Sequence, residues 1–222
     1  MGGGVFEYST QTIISINDVV DSHSENLFVK KINGECGDGC YLINHETDLS
    51  DFLEKTKGST YLIQNQLKQH EEINKINDTC INSIRIITII GSKCQEPQIF
   101  AHYMRFGGGK AVNDNRATGG LGVAIDDDGY LCEYGVGHHA VSSVHPYSKI
   151  AFKGNRIPFW NEVKDLVIKA HRLLPEIKTI GWDVAITPNG PVLIEGNDNW
   201  EISGAQDTFG GLKEKWYELR NN

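Results

Sequence analysis

Paired cysteines are missing from this 222-residue sequence. The five cysteines present form an odd, scattered set without CxxC spacing: Cys36, Cys40, Cys80, Cys94 and Cys132. Disulfide frameworks usually have an even number of cysteines, and structural zinc sites usually have closely spaced pairs. The pattern therefore argues against both, and it favours a reducing cytoplasm.

Long apolar runs and an excess of cationic residues are also missing. The most apolar stretch, residues 84–90, contains Arg85 and is far too short to cross a bilayer. The N-terminus lacks the basic start and apolar core of a signal peptide. The chain has 21 Lys and Arg against 29 Asp and Glu, a formal net charge of -8. This balance argues against a general nucleic-acid-binding protein, which needs clustered Lys and Arg.

Strand and helix patterns are mixed along the whole chain, without an internal repeat or a low-complexity linker. Strands are predicted at residues 27–32, 40–43, 61–63, 83–90, 99–105 and 122–125. Helices are predicted at residues 48–57, 160–174 and 212–220. Residues 64–67 are predicted as a turn between two halves of the molecule, residues 1–66 and 67–222.

Two short strand patterns near the C-terminus flank the turn sequence of residues 188–190, Pro-Asn-Gly. Proline and glycine suit the first and third positions of a three-residue hairpin loop, closed here by Thr187 and Pro191. Counting back along an antiparallel pair then places Asp183 opposite Glu195. A two-residue loop would pair Asp183 with Gly196 instead.

The same count places Asn197 on the face that carries Glu195, because side chains alternate along a strand. Two unpaired carboxylates side by side would repel each other, so a divalent cation is a natural partner for this trio. Asp183→Asn or Glu195→Gln should then abolish metal-dependent turnover and leave the fold largely intact. The alternative is a surface hairpin with ordinary acidic residues.

Lys30 ends an apolar strand and is followed by a loop that contains Gly34, Gly37 and Gly39. Backbone amides in such a loop can approach phosphates closely, and the lysine adds a positive charge. The segment is not a Walker loop, since no Gly-Lys-Ser/Thr sequence follows. A flap over phosphates and a plain glycine-rich hairpin both remain open.

Arg85 and Arg105 lie inside predicted strands, where a charge costs stability unless it is paired or faces a site. Both side chains are therefore predicted to point into a cleft, with Asn115 following them in the sequence. The alternative is that both form surface salt bridges on edge strands. His138, His139 and His145 are predicted to be structural or close to substrate, with the first two on opposite faces of a strand.

In this order, these residues resemble the ATP-grasp superfamily, and more closely its sugar-transfer associated family, over nearly the whole chain. The metal trio and the order of the arginines are similar to the amino-acid ligases of the superfamily, such as glutamate ligases. The residues that carry the resemblance are Phe28-Val29-Lys30 with the glycine-rich loop, residues 69–70, 82–88 and 104–109, Asp114-Asn115 with Gly119-Gly120, His145-Pro146, residues 157–160, and the hairpin through Asn197.

The resemblance implies an α+β fold in which two subdomains grip ATP between them. It also implies the following roles: Lys30, Gly34, Gly37 and Gly39 at the phosphates, Gln64 and Leu67 at the adenine, Glu71 or Glu72 at the ribose, Asn115 at the nucleotide, Asp183, Glu195 and Asn197 at two Mg²⁺ ions that Mn²⁺ can replace, and Arg85 and Arg105 at the transferred phosphoryl group.

The activity that the resemblance implies is a carboxylate-amine ligase that forms an acyl phosphate, acting on a sugar-linked or amino-acid substrate in cell-surface polysaccharide synthesis. A phosphotransferase acting on a hydroxyl group and a nucleotide-binding module without catalysis are the alternatives. The family usually has a further N-terminal subdomain, whereas only 26 residues precede the predicted flap strand. A truncation, a partner chain that supplies the subdomain, and a real absence are the three alternatives.

Overall fold

The structure is a computed structural model that describes residues 4–7, 10–34, 39–109, 114, 119–138 and 140–222. The chain divides into two units, Met1–Leu67 and Lys68–Asn222. The first unit has two antiparallel sheets and the second has one.

The first unit contains two small antiparallel sheets. Its elements are β1 (Gly4–Glu7), β2 (Thr12–Ser15), α1 (Ile16–Asp21), β3 (Leu27–Lys31), β4 (Cys40–Ile43), α2 (Leu49–Lys55) and β5 (Tyr61–Asn65). Strands β1 and β2 pair with each other, and β3 lies between β4 and β5. The predicted strands of the flap hairpin and the helix after it are confirmed. The predicted turn at residues 64–67 is wrong in part, because β5 continues through Gln64 opposite Phe28.

One face of the β4-β3-β5 sheet forms the core of the first unit. Side chains alternate along each strand, so Leu27 and Val29 face α1 and α2 while Phe28 and Lys30 face the opposite side. The buried core residues are Ile16, Val19, Val20, Leu27, Val29, Ile43 and Phe52. Lys30 therefore lies on the face of the sheet that does not contribute to this core.

The second unit is built around a seven-stranded antiparallel sheet with the order β10-β9-β8-β7-β6-β11-β12. Its elements are α3 (Glu71–Ile76), β6 (Ser83–Ile89), β7 (Gln98–Phe106), β8 (Leu121–Ile125), β9 (Leu131–Val136), β10 (Val141–Ser142), α4 (Trp160–Arg172), β11 (Thr179–Thr187), β12 (Gly190–Asn197), α5 (Ser203–Phe209) and α6 (Lys213–Asn221). In the described part of the chain, no helix is long and apolar enough to span a bilayer.

Helices cover both faces of the large sheet. Ile84 and Ile86 of β6 pack with residues of α3 and α4 on one face. Ile87 and Ile89 of the same strand pack with residues of α5 and α6 on the other. Strands β6 and β7 lie inside the sheet, so Arg85 and Arg105 are not on edge strands and that alternative is wrong. His138 lies between β9 and β10, not within a strand as predicted, and His139 lies outside the described residues.

His102 of β7 is a polar side chain in a largely apolar environment. Its ring packs edge-on against Trp160 and Phe209, with centroid distances of 5.0 and 6.0 Å. Its Nδ1 atom is buried and has no hydrogen-bond partner among the described residues. A protonated imidazole would place a charge here, so burial lowers the pKa of His102 to about 4.

We expect the free energy of unfolding to decrease as the pH falls from about 6.5 towards 4. In this range the unfolded His102 binds a proton and the folded His102 does not, so protons favour the unfolded state. The difference in pKa corresponds to about 3 kcal/mol once the pH is below both values. Denaturant unfolding at a series of pH values measures the effect.

His102→Phe is the variant that isolates this contribution, because phenylalanine retains the ring packing against Trp160. Its stability should depend less on pH than that of the wild type by about 3 kcal/mol over the same range. His45→Gln, at an exposed position, is the control and should follow the wild-type curve. Identical curves for His102→Phe and the wild type would contradict the prediction.

Candidate functional site

Five polar side chains lie together on one face of the large sheet. Arg85 shares a face with Ile87 and Ile89, because alternate residues of β6 point the same way. Asp183 is directly opposite Arg85 on one side and Glu195 on the other. The group, which we call the polar face, consists of Arg85, Arg105, Asp183, Glu195 and Asn197.

The β11–β12 hairpin aligns the two acidic residues by a route that differs from the prediction. Its loop has two residues rather than three, because Thr187 pairs with Gly190. The pairing then shifts by one residue between Asp183 and Val184, where Ile194 forms a bulge on β12. The predicted loop is therefore wrong, whereas the predicted pairing of Asp183 with Glu195 is confirmed.

Asp183 is paired with arginine, which contradicts the expectation of two unpaired carboxylates. Arg85 Nε and Nη2 donate to Asp183 Oδ1 and Oδ2 at 2.5 and 3.2 Å. Arg105 Nη1 lies 3.4 Å from Asp183 Oδ2. The Asp183 side chain is only 4% exposed and that of Arg85 11%. Both carboxylate oxygens of Asp183 therefore contact a guanidinium group in a largely buried site.

A second buried carboxylate, Asp114, completes this ion network. It accepts hydrogen bonds from Arg105 Nη2 at 2.8 Å and from the backbone and hydroxyl of Ser83. Burial opposes the charge of Arg105, but the carboxylates of Asp114 and Asp183 outweigh it and raise the pKa of Arg105. Two arginines and two aspartates balance in charge. In the sequence, Asp114 is recognisable only as part of the Asp114-Asn115 motif, and no role was predicted for it.

Glu195, which is exposed, and Asn197, which is half-buried, form the outer edge of the polar face. The amide nitrogen of Asn197 donates to Glu195 Oε1 at 3.3 Å and to the carbonyl oxygen of Gly181 at 3.4 Å. The three predicted metal ligands are therefore neighbours on one sheet face, and carboxylate and amide oxygens are ligands that Mg²⁺ accepts. The donor set fits a hard cation, although the described residues contain no cluster of three or more His, Cys, Asp or Glu side chains placed to hold a metal.

The two ends of the segment between β7 and β8 are held close to this network. The Gly107 N–H donates to Asn82 Oδ1 at 3.0 Å. His145 Nε2 lies 2.8 Å from the Gly107 carbonyl oxygen, so this nitrogen carries the proton. A side chain at Gly108 would overlap the backbone of Gly119, which explains why glycine is required there. His145 is fully buried, and burial lowers its pKa, which supports a structural role.

Lys30 lies on a separate sheet, in the first unit. Its cross-strand neighbours are Cys40 and Leu62, and Phe28 on the same face is flanked by Leu42 and Gln64. The Leu42 and Leu62 side chains are 53% and 42% exposed. The result is an exposed, mainly apolar sheet face with one cation in it.

The other residues predicted to contact the nucleotide are spread over the β3–β4 connection, β5, the end of the first unit and the start of α3. Gly34 and Gly39 lie at the two ends of the β3–β4 connection, and Gly39 has a φ of 70° that suits glycine. Gln64 is exposed on β5, Leu67 is half-buried at the end of the first unit, and Glu71 is exposed at the start of α3. Gly37 and Asn115 lie outside the described residues.

Two cavities in the second unit do not coincide with the polar face. They measure about 230 and 260 Å³, and both are lined by Arg156 and Ile157. No side chain of the polar face lines either of them. The candidate site is therefore defined by the charged groups of the polar face and not by a cavity.

A comparison with protein families decides which group this chain belongs to. The model of the sugar-transfer associated ATP-grasp family matches residues 4–214. The chain belongs to this family. No curated protein sequence matches it.

Solved structures with the ATP-grasp fold resemble this family member at low sequence identity. An ADP complex of N5-carboxyaminoimidazole ribonucleotide synthetase has a TM-score of 0.50 and 12% identity, covering 91% of this chain and 41% of that one. The N5-carboxyaminoimidazole synthetase of Staphylococcus aureus with ADP has a TM-score of 0.49 and 14% identity, covering 90% of this chain and 40% of that one. The D-alanine–D-alanine ligase of Bacillus anthracis has a TM-score of 0.47 and 12% identity, covering 99% of this chain and 61% of that one. The predicted α+β ATP-grasp fold is confirmed, and the chain spans about two-fifths of the first structure's length.

Proposed function

We propose that this member of the sugar-transfer associated ATP-grasp family is an ATP- and magnesium-dependent carboxylate-amine ligase. The observation that carries the proposal is the polar face, which combines two arginines with two carboxylates and an amide on four strands of one sheet. Phosphoryl transfer depends on positioning and on charge stabilisation rather than on covalent participation of the protein. Cationic groups beside oxygen ligands for a metal suit that chemistry.

Asp183, Glu195 and Asn197 are the residues proposed to hold two magnesium ions. When bound, magnesium would neutralise phosphate charge and orient the phosphates. To hold a metal ion, the Asp183 carboxylate would give up contacts with Arg85 and Arg105. The guanidinium groups released in this way would be free to donate hydrogen bonds to phosphate oxygens. The same two arginines would then bind Asp183 before the nucleotide is present and the nucleotide afterwards.

The proposed reaction has two steps. A carboxylate oxygen of the substrate attacks the γ-phosphorus, and the bond to the bridging oxygen breaks and releases ADP. An amine nitrogen then attacks the carbonyl carbon of the acyl phosphate, loses a proton, and displaces inorganic phosphate to leave an amide. Arg105 and Arg85 would stabilise the negative charge on the transferring phosphoryl group.

The substrate is proposed to be a sugar-linked or amino-acid carboxylate used in cell-surface polysaccharide synthesis. This proposal is supported by the family's association with sugar transfer. Lys30 is proposed to contact phosphate, because it is a cation on an exposed apolar sheet face that suits a nucleotide base. Gln64 and Leu67 for the adenine, and Glu71 for the ribose, remain proposed contacts.

Trapping with hydroxylamine tests the ligase reaction. With MgATP and a suitable carboxylate from a broad panel, we expect ADP release and formation of a hydroxamate, because hydroxylamine intercepts an acyl phosphate.

Lys30→Met should weaken ATP binding about 10- to 100-fold, the usual cost of one charge-assisted contact. Lys31→Met, on the next residue of β3 and the opposite face, is the matched control and should bind ATP as the wild type does.

Other outcomes of this experiment point to other functions. A phosphorylated sugar without hydroxamate would identify a phosphotransferase. Binding of MgATP without turnover for any carboxylate or hydroxyl compound would identify a nucleotide-binding module. Either result would overturn the ligase proposal.

A further inference from the structure

Asp114 holds the guanidinium group of Arg105 along one edge. Its Oδ1 accepts from Arg105 Nη2 at 2.8 Å, and its Oδ2 accepts from Arg105 Nε at 3.3 Å. A planar guanidinium bound by two adjacent nitrogens cannot rotate freely. Asp114 therefore fixes both the position and the plane of this group.

Asp114 is itself held firmly. The backbone N–H of Ser83 donates to Asp114 Oδ2 at 2.8 Å, and the Ser83 hydroxyl donates to the same oxygen at 2.5 Å. The carboxylate is buried at the point where β6 begins. A buried carboxylate that accepts several hydrogen bonds is a rigid support for the arginine.

The orientation that results leaves one nitrogen of Arg105 directed at the metal-ligand side of the polar face. Arg105 Nη1 is the atom that lies 3.4 Å from Asp183 Oδ2, while Nε and Nη2 are bound by Asp114. The arginine thus has one edge for Asp114 and its remaining donors for a ligand beside Asp183.

We propose that Asp114 is a positioning residue that aims Arg105 at the transferred phosphoryl group. This inference rests on the proposed function, in which Arg105 binds the γ-phosphate. Asp114→Asn can still accept the Ser83 N–H, but it loses the charge and one of the two bonds to Arg105. We expect kcat to fall about 10- to 100-fold, as is usual when a supporting group behind an active-site residue is changed.

The test compares two ligands that differ by the γ-phosphate. Calorimetry in the presence of Mg²⁺ would measure the affinity for ADP and for a non-hydrolysable ATP analogue. For Asp114→Asn we expect the affinity for the analogue to fall about tenfold, the cost of one weakened charge-assisted contact. The affinity for ADP should stay within about twofold of the wild-type value, because ADP lacks the group that Arg105 binds.

Further variants keep the result interpretable. Asp126→Asn makes the same chemical change at a carboxylate that accepts the backbone N–H groups of Asp128 and Tyr130, and it should leave both affinities unchanged. Arg105→Lys keeps a charge but cannot be held on two nitrogens, so it should show the same selective loss. If Asp114→Asn does not fold, Ser83→Ala tests the support of Arg105 instead, because it removes one hydrogen bond to Asp114 and keeps both charges; a selective but smaller loss of affinity for the analogue is expected.

The outcomes separate the inference from the function on which it rests. If the wild type binds neither nucleotide, the proposed function fails. If the wild type binds both, and Asp114→Asn and Arg105→Lys weaken ADP and the analogue equally or not at all, the positioning role fails while the nucleotide site stands. Selective loss of the analogue in both variants supports the inference.

Discussion

Glu195→Gln should lose about 100- to 1000-fold in metal-dependent turnover while the folded protein remains as stable as the wild type. Glu195 is exposed, and its side chain accepts a hydrogen bond from the amide of Asn197. The carbonyl oxygen of a glutamine side chain can accept the same hydrogen bond. The substitution removes a negative charge from the proposed metal site and little else. A loss of this size is typical when one electrostatic contact to the reacting group is removed. The free energy of unfolding should change by less than about 0.5 kcal/mol.

Three measurements check the Glu195 prediction: turnover of MgATP, binding of Mn²⁺ by electron paramagnetic resonance, and denaturant unfolding. Glu133→Gln is the matched control, because Glu133 is an acid on β9 whose partner Lys153 lies 3.5 Å away at the surface. This control should retain activity and Mn²⁺ binding. Full activity in Glu195→Gln would show that Glu195 is not a metal ligand.

Asp183→Asn should destabilise the protein by about 3–5 kcal/mol, in addition to abolishing turnover. The sequence alone led us to expect an intact fold for this variant, but the buried ion network changes that expectation. Removing one partner of a buried ion pair leaves an uncompensated charge, which carries a cost of this size. Here the charge left behind is mainly that of Arg85, whose side chain is 11% exposed.

Denaturant unfolding of Asp183→Asn measures the loss, and two comparisons show its cause. Glu96→Gln breaks an exposed pair with Arg172, whose side chains are 64% and 53% exposed, and it should cost less than about 1 kcal/mol. Asp183→Asn combined with Arg85→Met should recover part of the stability, because neither partner is then left charged. A loss below about 1 kcal/mol for the single variant would contradict the prediction.

The hairpin pairing was predictable for a reason that does not depend on the loop. Eleven residues separate Asp183 from Glu195. The prediction divided them into two arms of four and a loop of three, whereas the structure has arms of four and five and a loop of two. Both divisions bring Asp183 and Glu195 opposite each other, so an incorrect loop led to the correct pair.

The strand patterns of β3, β4, β6 and β7 were also readable from the sequence, because apolar residues that fill a core leave a periodic signal. The pairing of charges was not readable. Arg85 and Asp183 are 98 residues apart, and their contact depends on β6 and β11 being neighbours in the sheet. Asp114 had no periodic signal, and its role is visible only from its contacts with Arg105 and Ser83.

The bulge at Ile194 has a consequence for how this hairpin can change in length. Deleting Ile194 would remove the bulge and leave two arms of four residues with the two-residue loop, so Asp183 and Glu195 would still lie opposite each other in a regular ladder. Moving the extra residue from β12 into the turn would also keep the two acids opposed. The bulge and the turn can therefore each absorb one residue, and the segment can lose a single residue at the bulge without moving either acid off the polar face.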